Sequence, residues 1–150
     1  MNSKQQFEWS NMAGGLLGFM LNETRNANFA QIEKELAPLN ITSAQFKIII
    51  GIAHERASTL SEFARFFDYD PGAMKRLIDR VEEKGLIRRA PSLVDRRLIH
   101  LELTDAGKAM YPLIMQAVIK VNKKMLEGFS DVETAQFQFF LQRVISNSRP

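Results

Sequence analysis

Between residues 75 and 97 the chain carries eight basic side chains, Lys75, Arg76, Arg80, Lys84, Arg88, Arg89, Arg96 and Arg97, against four acidic ones, Asp79, Glu82, Glu83 and Asp95. The whole 150-residue chain has a formal net charge of +3, so this segment's excess of +4 leaves the remainder close to neutral. A guanidinium is a planar fork of fixed charge that bonds phosphates or base edges, and it is favoured in narrow minor grooves. A local cationic excess on a near-neutral chain suits a polyanion. A solvated helix face followed by a solvated loop accounts for the same count. Other chemistries lack their residues. Cys is absent, which removes disulfides, thiolate metal sites and cysteine nucleophiles together. The two histidines, His54 and His100, have no metal-ligand spacing, and His54-Glu55 is too little for a metal sensor. No Gly-rich phosphate loop precedes a helix, Gly14-Gly15 is isolated, and no Gly-x-Ser-x-Gly is present. The expectation is no enzyme, no metal and no cofactor.

The elements that position the basic cluster lie in residues 70–104, DPGAMKRLIDRVEEKGLIRRAPSLVDRRLIHLELT. Asp70 can cap free backbone N–H groups, and Pro71 suits the first helical position, where its missing N–H costs nothing. Met74, Leu77, Ile78 and Val81 fall at i, i+3, i+4 and i+7, one buried stripe. Pro71, Lys75, Arg76, Asp79 and Arg80 lie off it. Gly85 ends the helix as a left-handed cap. Residues 86–89 read as a strand, and residues 98–103 alternate Ile99, Leu101 and Leu103 with His100 and Glu102. The loop between them contains Pro91 and Ser92 and ends in Asp95-Arg96-Arg97. A charged hairpin after an exposed basic helix outlines a winged helix-turn-helix. For Arg88 and Arg89, ordinary strand-edge charge and phosphate contact stay open as equals.

The chain is one domain's worth by length, and at 45% hydrophobic and 25% charged it can bury a core. No stretch approaches eighteen consecutive apolar residues, and the first fifteen residues lack the apolar core of a signal peptide. A cytoplasmic protein with no membrane partner is expected. Residues 13–36 read as one long helix, with Leu17, Met20, Leu21 and Thr24 on one stripe and Leu16 and Phe19 partly outside it. Apolar residues on more than one side require more than one packing partner, either the core or a second subunit. Thr42-Ser43-Ala44-Gln45 and Thr59-Leu60-Ser61-Glu62 fit capping boxes that open two further helices, the first ending near Glu55. The second of these and the basic helix after it make a helix-turn-helix pattern. Thr104 can cap a helix running to about Glu127, and Ser130-Asp131-Val132-Glu133 is a third capping box. The last helix carries Phe137, Phe140, Leu141, Val144 and Ile145, with little chain left to cover them. The helices at both ends look short of burial partners, which argues for a homodimer.

In order, the chain carries Leu77, Val81-Glu82-Glu83-Lys84-Gly85-Leu86-Ile87, Arg89, then Asp95-Arg96-Arg97, then Leu103-Thr104 and Gly107. With the helices before them, these resemble the MarR family of bacterial transcription regulators, named for the multiple-antibiotic-resistance repressor. The resemblance covers about residues 13–147, and the set EEKGLIxR, DRR and LTxxG is specific because all three occur in order. It implies a mainly α fold with a small β-hairpin wing. Residues 1–150 would form a single MarR-type chain, with a winged helix-turn-helix over 41–104 and dimerisation helices over 13–36 and 105–147. It implies a homodimeric, sequence-specific regulator of double-stranded DNA, a repressor on a pseudo-palindromic operator. The recognition helix would lie in the major groove, presenting Pro71, Gly72, Ala73, Lys75, Arg76, Asp79 and Arg80. Asp95 would hold and aim Arg97 into the flanking minor groove, with Arg96 nearby on the wing. The resemblance further implies release by a small aromatic or phenolic ligand between the dimer and DNA-binding parts. Phe19, Arg25, His54, Arg56 and Tyr111 could supply an aromatic wall and a cationic anchor; a surface or core role accounts for His54 as well. The family's oxidation-sensing branch uses a reactive Cys, and this chain has none. The alternative is a winged-helix protein-interaction module without specific DNA binding.

Overall fold

A computed structural model describes residues 16–91 and 98–148. Six helices and one hairpin follow in the order α1 (Leu17–Leu36), α2 (Ser43–Ala53), α3 (Leu60–Phe67), α4 (Pro71–Glu83), β1 (Ile87–Pro91), β2 (Ile99–Leu103), α5 (Asp105–Met125) and α6 (Asp131–Asn147), with a short 3-10 turn at Ala37–Leu39. This is the mainly α architecture with a two-stranded wing expected above.

Side-chain caps set most helix starts. Thr42 with Gln45, Thr59 with Glu62 and Ser130 with Glu133 form reciprocal capping boxes, while Asp70 accepts from the Ala73 amide and Thr104 from the Gly107 amide. Each cap satisfies amides that the first helical turn leaves without partners. Glu62 accepts from the Ser58 amide at 2.7 Å, the Ser58 hydroxyl at 3.0 Å and the Thr59 amide at 3.1 Å. These hydrogen bonds, the Ser58 amide first, hold its carboxyl below the ordinary range. Gln45 is the buried polar side chain of the core. Its oxygen accepts from both the Thr42 amide and the Lys84 ammonium, so one residue caps α2 and anchors the end of α4.

The core lies where α1, α2, α3, α4, the hairpin and α5 meet. Ile32 and Leu36 of α1, Ile48 and Ile49 of α2, Phe63 of α3, Met74, Ile78 and Val81 of α4, and Ile114 and Val121 of α5 are buried together. Two glycines permit the closest approaches. A Cβ at Gly51 would sit 2.5 Å from the Phe63 ring, which packs α3 onto α2. A Cβ at Gly107 would sit 2.0 Å from the Leu86 carbonyl oxygen, in the backbone itself.

The strands differ at their ends from the sequence expectation. β1 begins at Ile87, because Leu86 is used in the turn: its amide donates to the Val81 carbonyl and its carbonyl accepts from the Thr104 amide. β1 then continues to Pro91, in antiparallel register with Ile99. β2 starts at Ile99, and only Leu101 on it is buried; Ile99 is 56% exposed because it lies toward the outer end of the hairpin. The Leu101 amide donates to the Ser58 carbonyl at 2.7 Å, tying the wing to the link between α2 and α3. Helix α2 stops at Ala53, two residues before the expected end, and α5 at Met125 rather than about Glu127. Helix α1 is described from Leu17; residues 13–15 of the expected helix lie outside the described residues.

α6 contributes no buried residue. Phe137, Phe139, Phe140 and Ile145 are exposed, Phe140 at 54%, as are Leu17, Phe19 and Met20 on the first turns of α1. Among the described residues no single helix is long and apolar enough to cross a membrane.

Gly107→Ala should destabilise the fold by about 2–3 kcal/mol, because the contact is with backbone that cannot turn aside. Chemical denaturation of variant and parent checks this, and an unchanged midpoint would refute the tight contact.

Candidate nucleic-acid interface

Helix α4 carries the candidate surface. Asp70 caps it through the Ala73 amide at 2.9 Å, Pro71 occupies its first position, and Gly85 takes the left-handed conformation (φ 71°) just beyond its end. Met74, Ile78 and Val81 are buried and Leu77 is half-buried, as the stripe predicts. Pro71, Gly72, Lys75, Arg76 and Arg80 are exposed, while Ala73 and Asp79 are half-buried.

The charges on this helix are sorted by face. Asp79 accepts from Lys75 at 2.8 Å, one helical turn away, and from Arg89 of β1 at 2.6 Å. Those two donors, Lys75 first, hold the Asp79 carboxyl below its ordinary value. Arg89 also pairs with Glu82, whose other oxygen accepts from the Arg89 amide at 3.0 Å. Arg88 pairs with Glu102 across the hairpin at 2.9 Å. Both strand arginines are therefore engaged within the chain, and Arg89 binds the wing to α4. Arg76 and Arg80 have no ion pair among the described residues. The acids of α4 are drawn toward the wing strand and its own Lys75, and two arginines remain unneutralised on the outer face. Asp95, Arg96 and Arg97, the expected wing tip, lie outside the described residues.

Thr104 and Gly107 hold the wing's second strand to the end of α4. The Thr104 amide donates to the Leu86 carbonyl at 3.1 Å, its hydroxyl donates to the Gly85 carbonyl at 2.5 Å, and the same oxygen accepts from the Gly107 amide at 3.1 Å. The Gly85-Leu86 and Leu103-Thr104-x-x-Gly107 motifs, far apart in sequence, are the two halves of one joint.

The five effector candidates are not brought together in one concavity. His54 and Tyr111 meet: Nε2 and Oη share a hydrogen bond of 2.8 Å, with the rings edge to face at 5.8 Å. Arg56 lines an open cleft with Ile52, Phe66 and Leu101. Arg25 lies over the Phe29 ring at 5.1 Å and lines a different concavity, between α1 and α2. Phe19 is 53% exposed on α1. Sequence reasoning passed over Lys47, whose ammonium lies 4.3 Å from the Phe29 ring centre, and Glu82, the carboxylate that holds Arg89. A lysine inside the apolar run Phe46 to Ile50 was the available signal for the first. Among the described residues no three His, Asp or Glu side chains converge as a metal site would need.

A capped, basic second helix packed on a short first one, with a hairpin fastened behind it, defines a winged helix-turn-helix. Residues 41–99 match the family model described as MarR family. The multiple antibiotic resistance protein MarR of Escherichia coli (strain K12) is 28% identical over 130 residues, which span 86% of this chain and 90% of that protein. The crystal structure of an E. coli MarR mutant complexed with operator DNA is similar with a TM-score of 0.74 and 28% identity, covering 85% of this chain and 92% of that one. A MarR transcriptional regulator from Methanosarcina mazei Go1 shares the fold with a TM-score of 0.81 at 20% identity, over 88% of this chain and 95% of that one. The chain belongs to the MarR family of transcription regulators.

Glu82→Ala should release the Arg89 side chain and its amide, costing about 1–2 kcal/mol. It should also speed amide hydrogen exchange across β1. Exchange rates in residues 87–91 equal to the parent's would show that the wing is held without this pair.

Proposed function

We propose that this chain is a homodimeric, sequence-specific regulator that binds double-stranded DNA and acts as a repressor. The observation that carries the reading is the charge sorting on α4. Arg76 and Arg80 are exposed and unpaired among the described residues, while Asp79 and Glu82 are bonded to Arg89. A relative 28% identical to this chain has been solved with operator DNA. In this reading residues 71–80 enter the major groove, and Arg97, aimed by Asp95 and flanked by Arg96, reaches the adjacent minor groove. Base edges or phosphates are both within the repertoire of Lys75, Arg76 and Arg80. The winged helix-turn-helix takes residues 41–104. The segments 13–36 and 105–147 serve as dimerisation helices.

The dimer is supported by the apolar faces of α1 and α6. A helix bearing Phe137, Phe139, Phe140 and Ile145 in water is unfavourable by about 1.5–3 kcal/mol for each side chain that burial would cover. A second copy related by a two-fold axis covers both faces at once and sets two reading helices about one duplex turn apart, matching a pseudo-palindromic operator. A small aromatic ligand bound between the dimer and DNA-binding parts would favour one of two dimer geometries and so release DNA. The His54–Tyr111 pair and Arg56, near the end of α2, are the candidates best placed for it. The protein would work in the cytoplasm, with DNA as its partner and no cofactor.

Fluorescence anisotropy on the duplex upstream of the chain's own gene, against scrambled duplex at two salt concentrations, tests the reading. One dimer per site with preference for the native duplex is expected. Arg80→Ala should either lower the salt slope by about 1 or relax specificity by about 1–3 kcal/mol, and Arg97→Ala should weaken binding while leaving the fold intact. Salt-insensitive, sequence-blind binding would favour a protein-interaction module instead. Phe140→Glu should yield monomers in sedimentation equilibrium and lose operator affinity; a persistent dimer would move the interface away from α6.

A further inference from the structure

Helix α2 is apolar along most of its length, yet Lys47 sits in its second turn beside three aromatic rings. Its ammonium lies 4.3 Å from the centre of Phe29, 5.7 Å from Phe67 and 5.8 Å from Tyr69. The Arg25 guanidinium stands 5.1 Å from the same Phe29 ring, so the two cations are within about 10 Å of each other. That is about one screening length at 0.1 M salt, and partial burial weakens the screening further. Neither cation pairs with a carboxylate among the described residues. The rings attract the charges through their faces but do not neutralise them. Burial, and then the nearby Arg25, push the Lys47 ammonium below its ordinary value, which is the mark of a cation lacking a counter-charge.

The same residues enclose space. Arg25, Asn26, Phe29, Ser43, Ala44, Lys47 and Tyr69 line a concavity of about 270 Å³ between α1 and the start of α2. The first amide of α2, that of Ser43, already donates to an in-chain carboxylate, Glu33, at 2.5 Å. The wall therefore combines two uncompensated cations with a helix start that attracts oxygen anions.

We propose that Arg25 and Lys47, in the concavity between α1 and α2, form a binding site for one small oxyanion group, a phosphate or a carboxylate. The group would bridge the guanidinium and the ammonium, and Asn26 and the Ser43 hydroxyl can contribute further hydrogen bonds. Two sources present this chemistry: a free small anion, and a backbone phosphate of duplex DNA, since Tyr69 directly precedes the Asp70 cap of α4. The inference rests on the cation pair and not on the DNA-binding reading, because a free anion needs no duplex.

The full chain is titrated with phosphate, acetate, duplex DNA or chloride at matched ionic strength, while the Lys47 side-chain methylene signal is followed by NMR. Lys47→Met identifies that signal and keeps the aliphatic stem against the rings, and thermal unfolding checks that the variant folds. A saturable shift with phosphate or acetate, weakened at least tenfold in Arg25→Gln, establishes the site with a free anion as its ligand. A shift with duplex alone, also lost in Arg25→Gln, establishes it with a backbone phosphate as its ligand. No shift in any arm, a shift reproduced by chloride, or a shift indifferent to Arg25→Gln overturns the proposal. Operator binding is read separately by anisotropy on the parent chain, so failure of this site and failure of the DNA-binding reading are distinguishable.

Discussion

The contact between Gly107 and the Leu86 carbonyl is the constraint on which the rest of the structure hangs. At this point the end of α4, the start of β1, the end of β2 and the start of α5 converge on a few backbone atoms. The approach is too close for a Cβ, and Thr104 completes it with its amide and hydroxyl on Leu86 and Gly85. The hairpin is therefore fastened to the body at its base, and α4 reaches the surface at an angle the joint sets. Two motifs that resemble family signatures are, in physical terms, the two sides of this backbone contact.

Around that joint the ion pairs distribute charge. A bare count over residues 75–97 treats every lysine and arginine as equally available. The structure engages Arg88 and Arg89 with Glu102, Asp79 and Glu82, and Lys75 with Asp79. Such half-exposed pairs contribute modestly to stability. Their larger effect is to remove acidic groups from the outer face of α4, where they would repel a polyanion, and to leave Arg76 and Arg80 unpaired there among the described residues.

Features carried by local physics were legible in the sequence. Each of the three capping boxes forms, Asp70 and Thr104 cap as their positions require, and the stripe Met74, Leu77, Ile78 and Val81 faces inward. Features that depend on where distant elements meet were less legible. Leu86 resembles a strand residue by type, but its backbone is committed to the joint, so β1 starts one residue later. Ile99 fits an alternating strand, but its register with Pro91 places it beyond the body that would bury it. Phe19, Arg25, His54, Arg56 and Tyr111 were grouped by chemical type, and three-dimensional packing joins only His54 to Tyr111. Lys47 was hidden by its apolar neighbours, since nothing in a linear reading reveals that Phe29, Phe67 and Tyr69 surround it.

The joint at Gly107 also makes α5 a lever. A helix of 21 residues is about 30 Å long at 1.5 Å per residue, and its first turn is fastened to the base of the wing. Pivoting that helix by ~10° about its far end carries the fastened end through ~5 Å, more than the 3.4 Å rise of one base step. Motion applied at Met125 is thus delivered to the hairpin and α4 as a displacement of the whole unit, with no need for the core between them to rearrange.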